Sequence, residues 1–135
     1  MTLDNTDNEK PFNERPFNER PLAFIIEDDP QLITIFATAM ELAGYRTETA
    51  EDGRDALEKL ATLQPDIIML DVHLPHIAGD DVLRYIRADA RLKDTKVVLS
   101  TADSRIAAQL REEASLVLLK PVSFKELVEL VSTME

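Results

Sequence analysis

The sequence predicts an α/β fold in which five parallel strands alternate with five helices. Two observations indicate this fold. Short apolar runs recur along the chain with amphipathic segments of helical length between them, and one run, Ile67 to Leu70, consists of four large apolar residues. Such an unbroken run is typical of a strand buried on both faces, as in parallel sheets. Because strands and helices alternate, we expect right-handed crossovers and helices on both faces of the sheet.

Each predicted strand is a short apolar run that ends at a polar residue or a turn. The second run alternates between polar and apolar residues, so its strand is expected near an edge of the sheet. The five strands are predicted at Leu22 to Ile26, Tyr45 to Thr49, Ile67 to Leu70, Lys96 to Leu99 and Leu116 to Leu119.

The helices are predicted from apolar residues at helical spacing and from their caps. Asp29 and Pro30 suit the start of the first helix, and Gly44 suits its end. Ser123 and Glu126 form a capping-box pattern at the last helix. The helices are expected from residue 30 to about 43, 53 to about 63, 79 onward, 103 to 114 and 123 to about 134.

Residues 1–21 are predicted to be a flexible tail, and residues 22–135 form the folded domain. The tail is polar and contains the sequence PFNER twice in tandem, from Pro11 and from Pro16. Two copies of five residues are too short for a repeat architecture. The composition favours a disordered extension, and the alternative is a docking peptide that uses Phe12 and Phe17.

Composition and charge exclude several classes of function. The chain of 135 residues has no cysteine and two histidines, which excludes disulfides and the usual zinc sites. Its net charge of −11 argues against nucleic acid and anionic membranes as partners. The apolar stretch from Leu32 to Met40 is too short to span a bilayer, and the first residues lack a signal peptide. We therefore expect a cytoplasmic protein.

Polar side chains follow most of the predicted strands, at the edge where open α/β sheets bind ligands. If the first and third strands are neighbours, their carboxylates converge, and such a cluster is unstable without a cation. Oxygen ligands favour Mg²⁺, and a nearby lysine and hydroxyl suit phosphoryl transfer. The residues are Glu27, Asp28 and Asp29 after the first strand, Asp71 after the third, Ser100 and Thr101 after the fourth, and Lys120 after the fifth.

Each of these residues also has a purely structural interpretation. The acidic run before Pro30 suits helix capping, and Lys120 suits a solvated strand end. Thr101 suits a helix cap, which would leave Ser100 as the competing hydroxyl. Their joint occurrence at consecutive strand ends favours a functional site.

From about Leu22 to Met134 the chain resembles the receiver domains of two-component response regulators. The resemblance implies a doubly wound, flavodoxin-like (βα)5 fold with strand order 2-1-3-4-5, the order of the chemotaxis regulator of this family. The matching motifs are Ile26 to Pro30, Asp52 to Leu57, Pro65 to Pro75, Gly79, Thr101-Ala102 and Leu119 to Pro121.

The resemblance also implies a signalling function through an aspartyl phosphate. Asp71 would take a phosphoryl group from a phosphohistidine on a histidine kinase or histidine phosphotransfer protein. Phosphorylation would then switch a contact with a downstream protein, and a homodimer is compatible with this function. Such a phosphoprotein catalyses only its own phosphorylation and dephosphorylation, so we do not expect an enzyme.

The same resemblance assigns the residues around Asp71. Mg²⁺ would be held by Asp28, Asp71 and the backbone carbonyl of His73, with Glu27 acting through water. Thr101 and Lys120 would bond the phosphoryl oxygens, and a cis peptide bond before Pro121 would aim the lysine.

Three features depart from the family pattern. Val117 stands where the family usually has an aromatic residue. The interval from Thr101 to Lys120 is about 3–4 residues shorter than is usual in the family, which is roughly one helical turn. His73 occupies a position that tends to tune loss of the phosphoryl group, although a plain loop histidine is an equal interpretation. The altered region supports an alternative function, a phosphate-independent interaction module on the same fold.

Overall fold

The computed structural model describes residues 9–134, and its five strands form one parallel sheet in the order β2-β1-β3-β4-β5. The predicted fold and the edge position of β2 are confirmed. Strand β4 runs two residues further than predicted and includes Ser100 and Thr101. The strands are β1 Leu22–Ile26, β2 Arg46–Ala50, β3 Ile67–Asp71, β4 Lys96–Thr101 and β5 Leu116–Leu119.

The helices begin at the residues that the caps predict. The side chain of Asp29 accepts a hydrogen bond from the backbone N–H of Gln31 at 2.9 Å. The Ser123 hydroxyl accepts one from the backbone N–H of Glu126 at 3.0 Å. The helices are α1 Pro30–Leu42, α2 Gly53–Leu60, α3 Gly79–Ala88, α4 Ser104–Leu110 and α5 Phe124–Thr133.

Two sequence predictions for the helices are corrected. Helix α4 ends at Leu110 rather than Ala114, because the polar residues 111–113 are exposed and give a further turn nothing to bury. Phe124 was expected on the apolar face of α5 but is 40% exposed, while Leu127 and Val131 are fully buried. A residue in the first turn lies at the end of the helix, where the sheet covers it less completely.

The sheet separates two apolar layers. Alternate strand residues such as Leu70 and Leu99 pack with α2, α3 and α4, and we call this side the α2–α4 face. The residues between them, such as Met69 and Val98, pack with α1 and α5 on the α1/α5 face. Burial of each large side chain stabilises the fold by about 1.5–3 kcal/mol. Beyond these apolar layers, the polar side chains at the carboxyl ends of the strands form the candidate site.

The tandem repeat forms two similar turns beside the end of the sheet at which the parallel strands begin. The 3-10 helices Phe12–Glu14 and Phe17–Glu19 follow Pro11 and Pro16. The ring of Phe12 meets the ring of Tyr45 edge-on, with the centroids 5.4 Å apart, whereas Phe17 is 66% exposed. The prediction of a flexible tail covers residues 1–21. Residues 1–8 of this tail lie outside the described residues, and residues 11–20 form the two turns, so its flexibility stays a prediction.

Gly44 lies where this segment crosses the end of α1. Its φ of +100° is strained for a residue with a side chain, and a Cβ atom there would overlap Phe12. The other end of the described chain reaches the same edge of the sheet, because Lys96, the first residue of β4, donates a hydrogen bond to the carbonyl of Met134. None of the helices in residues 9–134 has the length and apolar character needed to cross a lipid bilayer.

Candidate functional site

Three carboxylates converge at the carboxyl end of the sheet. Strands β1 and β3 are neighbours, with Ile26 opposite Leu70, so the residues that follow or end these strands lie side by side. Glu27, Asp28 and Asp71 each offer a carboxylate oxygen, and the three oxygens lie within 4.8 Å of one another. Glu27 and Asp71 are buried, while Asp28 is exposed. The structure thus brings together the acidic residues that the sequence singled out.

Lys120 extends from the end of β5 to two of these carboxylates. Its ammonium lies 2.9 Å from Glu27 Oε1 and 3.4 Å from Asp71 Oδ2. The peptide bond between Lys120 and Pro121 is cis, as the resemblance implied. Lys120 brings one positive charge to three carboxylates, so the cluster keeps an excess of negative charge that favours a bound cation.

Burial shifts the ionisation of this group of side chains. The pKa of Glu27 is raised to about 7, mainly by burial and also by the charge of Asp71, while the hydrogen bond from Lys120 acts in the opposite direction. For Lys120, burial lowers the pKa, but the hydrogen bond to Glu27 and the charge of Asp71 outweigh it, so the net shift is upward. The ammonium is therefore held in its charged form between its two acidic partners.

Backbone groups fix the two buried carboxylates. Glu27 Oε2 accepts hydrogen bonds from the N–H groups of Asp28 and Asp29, at 3.0 and 3.2 Å. Asp71 Oδ1 accepts one from the N–H of His73 at 3.1 Å. The chain after β3 then folds tightly past Gly79, where a Cβ atom would overlap the carbonyl of Asp71. A glycine is required there because the backbone passes so close to the acidic residue.

The two hydroxyls at the end of β4 differ in their surroundings. Thr101 Oγ1 accepts a hydrogen bond from the N–H of Asp103 at 3.1 Å and lies 3.3 Å from His73 Nε2. Ser100 is 1% exposed, and its Oγ has no hydrogen-bond partner among residues 9–134. The contact between His73 and Thr101 was not predicted, because no local pattern connects side chains that are 28 residues apart in the sequence.

The sequence profile of the response regulator receiver domain matches residues 23–132 of this chain. The chain belongs to the response regulator receiver domain family. Receiver domains are signalling domains of two-component systems rather than classical enzymes, and response regulators interact with histidine kinases and downstream targets.

Two curated relatives are named as DNA-binding regulators. The DNA-binding dual master transcriptional regulator RpaA of Synechocystis is 37% identical over 87 residues, which are 64% of this chain and 36% of that protein. The DNA-binding response regulator MtrA of Mycolicibacterium smegmatis is 32% identical over 104 residues, which are 77% of this chain and 46% of that protein. The receiver thus spans less than half the length of these relatives.

Solved structures show the same fold. The chemotaxis response regulator CheY4 of Vibrio cholerae superposes with a TM-score of 0.78 at 24% identity, over 85% of this chain and 98% of that chain. The response regulator TrrA of Thermotoga maritima, in complex with Mg²⁺ and BeF, has a TM-score of 0.75 at 30% identity, over 85% of this chain and 99% of that chain.

The donor set of this receiver fits a hard cation. The converging ligands are carboxylate oxygens, which suit Mg²⁺. Each oxygen of Glu27 already accepts a hydrogen bond, one from Lys120 and one or more from backbone N–H groups. Glu27 could therefore contact a metal through water, while Asp28 and Asp71 could offer carboxylate oxygens to it.

Val117, α4 and His73 correspond to the three departures from the family pattern noted in the sequence. Val117 is half-buried against the α2–α4 face. Helix α4 has seven residues, and a groove of about 400 Å³ separates it from α3. His73 lines this groove together with residues of α3 and α4.

Proposed function

We propose that this receiver accepts a phosphoryl group on Asp71 and changes a protein contact in response. The observation that carries the proposal is the position of Asp71, buried at the carboxyl end of β3 with the ammonium of Lys120 3.4 Å away and two further carboxylates beside it. A buried carboxylate that keeps one compensating cation suits a nucleophile at phosphorus.

The step is an in-line transfer from a phosphohistidine of a histidine kinase or phosphotransfer protein. An oxygen of Asp71 bonds to phosphorus, the P–N bond of the donor breaks, and the imidazole nitrogen keeps the electron pair of that bond. Asp28, Asp71 and the backbone carbonyl of His73 would hold Mg²⁺, with Glu27 contacting it through water. Bound Mg²⁺ would neutralise charge on the carboxylate and phosphoryl oxygens.

Two side chains would respond to the new dianion. Lys120 would bond a phosphoryl oxygen, since its ammonium already lies between Glu27 and Asp71. Thr101 would donate its hydroxyl hydrogen to a second oxygen, turning away from His73 Nε2, which lies 3.3 Å from it. The loops that carry these residues would move with them, which alters the surface seen by a downstream protein.

This domain itself supplies no argument for binding DNA. Its net charge of −11 opposes contact with phosphates, and the relatives named as DNA-binding are more than twice as long as the part that matches. We therefore propose proteins as its partners, with a homodimer among the compatible outputs.

Intact-protein mass spectrometry after incubation with acetyl phosphate tests the proposal. We expect the wild-type protein to gain one phosphoryl group in Mg²⁺ and none in EDTA. Asp71→Asn should gain none, and Lys120→Gln should gain it much more slowly. Asp81→Asn, which alters an exposed carboxylate on α3, is the matched control and should behave as wild type.

A different result would favour the phosphate-independent interaction module. If the folded protein binds Mg²⁺ but gains no phosphoryl group from acetyl phosphate or phosphoramidate, Asp71 is not a phosphoacceptor. The valine at position 117 and the short α4 would then be features of a surface that works without phosphate.

A further inference from the structure

Ser100 is the polar side chain of the site to which the proposed function gives no role. It is 1% exposed, and its Oγ has no hydrogen-bond partner within residues 9–134. A buried hydroxyl without a partner is costly, and such groups are rare in native proteins. The cost calls for a state of the protein in which this hydroxyl is paired.

The strand register places Ser100 beside the phosphoacceptor. Asp71 and Ser100 are opposite one another in the β3–β4 pairing, which puts their Cα atoms about 4.8 Å apart across neighbouring strands. Side chains alternate along a strand, so Ser100 shares the α1/α5 face with Val98, just as Asp71 shares it with Met69. The side chains of Ser100 and Asp71 therefore start from neighbouring positions on one face of the sheet.

Glu27 and Lys120 follow the same face. Ile25 and Leu118 pack on the α1/α5 face, and each precedes one of these residues by two positions. Ser100 is opposite Leu118 in the β4–β5 pairing. Since Lys120 must pass over β4 to reach Asp71 and Glu27, Ser100 lies within the set of residues that would surround a phosphoryl group.

Thr101 differs from Ser100 in the face of the sheet that it occupies and in the contacts of its hydroxyl. It follows Ser100 by one residue, so its side chain starts from the α2–α4 face, and its hydroxyl already contacts His73 and accepts from the N–H of Asp103. These contacts hold the Thr101 hydroxyl on that face, so the side chain would have to turn away from His73 to reach a phosphoryl oxygen. Ser100 has none to break within the described residues.

We propose that Ser100 is a second hydroxyl of the phosphoryl site and donates a hydrogen bond to a phosphoryl oxygen carried by Asp71. This inference rests on the proposed function. The hydroxyl is unpaired when Asp71 is free and paired when it is phosphorylated, so it favours the phosphorylated form over the resting form. Removing it should therefore change the two forms in opposite directions.

Beryllium fluoride with Mg²⁺, used as a phosphoryl analogue, tests the inference in the 135-residue chain. Binding is followed by ¹⁹F NMR, and resting stability by thermal unfolding in EDTA. For Ser100→Ala we expect about tenfold weaker binding of the analogue, the ratio that 1.4 kcal/mol gives. We expect its resting melting temperature to be unchanged or higher by about 2–4 °C.

Ser115→Ala is the matched control. Its hydroxyl accepts a hydrogen bond from the N–H of Val97 at 3.0 Å, at the opposite end of β4. This variant should melt at a lower temperature and bind the analogue as wild type does. A merely structural role for Ser100 would give the same pattern as Ser115, with a lower melting temperature and no change in analogue affinity.

Three results would overturn the inference. Equal affinity in Ser100→Ala and wild type would show that the hydroxyl does not contact the phosphoryl oxygens. A lower melting temperature of the resting variant would show that the hydroxyl is already paired, for example with a bound water. If wild type neither binds the analogue nor gains a phosphoryl group, the proposed function itself fails, and the role of Ser100 fails with it.

Discussion

The raised pKa of Glu27 predicts an unusual pH dependence of stability in the metal-free protein. In the unfolded chain this carboxyl loses its proton near the ordinary value of 4.5, but in the folded protein it keeps the proton to about pH 7. Between these values the folded state binds more protons than the unfolded state. Stability contributed by this group must then fall as the pH rises from about 4.5 to 7.

The size of the effect follows from the displacement of the pKa. A change from 4.5 to about 7 corresponds to about 3 kcal/mol of unfolding free energy. The side chain of Glu27 is 2% exposed, so solvent does little to screen this cost. The physical source is the removal of a carboxylate from water beside Asp71, which one hydrogen bond from Lys120 only partly offsets.

Urea unfolding of wild type and Glu27→Gln in EDTA, at pH 5, 6, 7 and 8, isolates this contribution. Glutamine keeps the shape and one of the two acceptor oxygens of Glu27, and it does not ionise. Its NH2 group replaces the other acceptor, which adds a difference in stability that does not change with pH. We expect wild type to lose about 3 kcal/mol relative to Glu27→Gln between pH 5 and pH 8. Other titrating groups are common to both proteins and cancel in the difference.

Parallel pH profiles of the two proteins would refute this reasoning, since they would mean that Glu27 ionises normally in the folded state. Mg²⁺ provides an internal check. If the ion contacts Glu27 through water, it should favour the charged carboxyl, reduce the pH dependence of wild type and have less effect on that of Glu27→Gln.

Three further predictions concern the tail and the switch. Phe12→Ala should lower the unfolding free energy by about 1–2 kcal/mol, because it removes the ring that packs on Tyr45. Phe17→Ala, at the equivalent position of the second repeat, should change it by less than about 0.5 kcal/mol. Equal effects of the two substitutions in urea unfolding would exclude the packing of Phe12. Gly44→Ala should cost about 1–3 kcal/mol through its positive φ and its overlap with Phe12, and a neutral result would contradict that geometry. His73→Ala removes the ring that contacts Thr101, so beryllium fluoride should bind about threefold more tightly, and weaker binding would show that His73 assists the phosphorylated form instead.

The sheet could be predicted from the sequence because its signals are local. Ile67 to Leu70 can be buried on both faces only in a covered sheet, and Asp29 and Ser123 mark helix starts by their ability to accept a backbone hydrogen bond. The end of α4 was predicted less well. Arg111 to Glu113 have good intrinsic helix propensity, but the last turn lacks a buried side chain, and tertiary packing decided the boundary.

The candidate site was predictable as a set of residues but not as a set of contacts. Strand ends converge by topology, which is why Glu27, Asp71 and Lys120 could be named together. Which hydroxyl is paired depends on loop geometry, and so does the contact between His73 and Thr101. The sequence also could not predict that Phe12 rather than Phe17 packs on Tyr45, because the two repeats are identical in sequence and differ only in their distance from β1.

The positions of Phe12 and Met134 have a practical consequence for anything joined to this domain. Phe12 and Met134 line one small cavity at the amino-terminal edge of the sheet, and the five residues of β3 place Asp71 about 17 Å away at the opposite edge. A fusion partner, affinity tag or surface linker that continues from Met134 would leave from the end of the sheet opposite Asp71. Immobilised protein should therefore keep its reactive edge accessible, while any message passed to an attached domain would have to travel the full length of the strands.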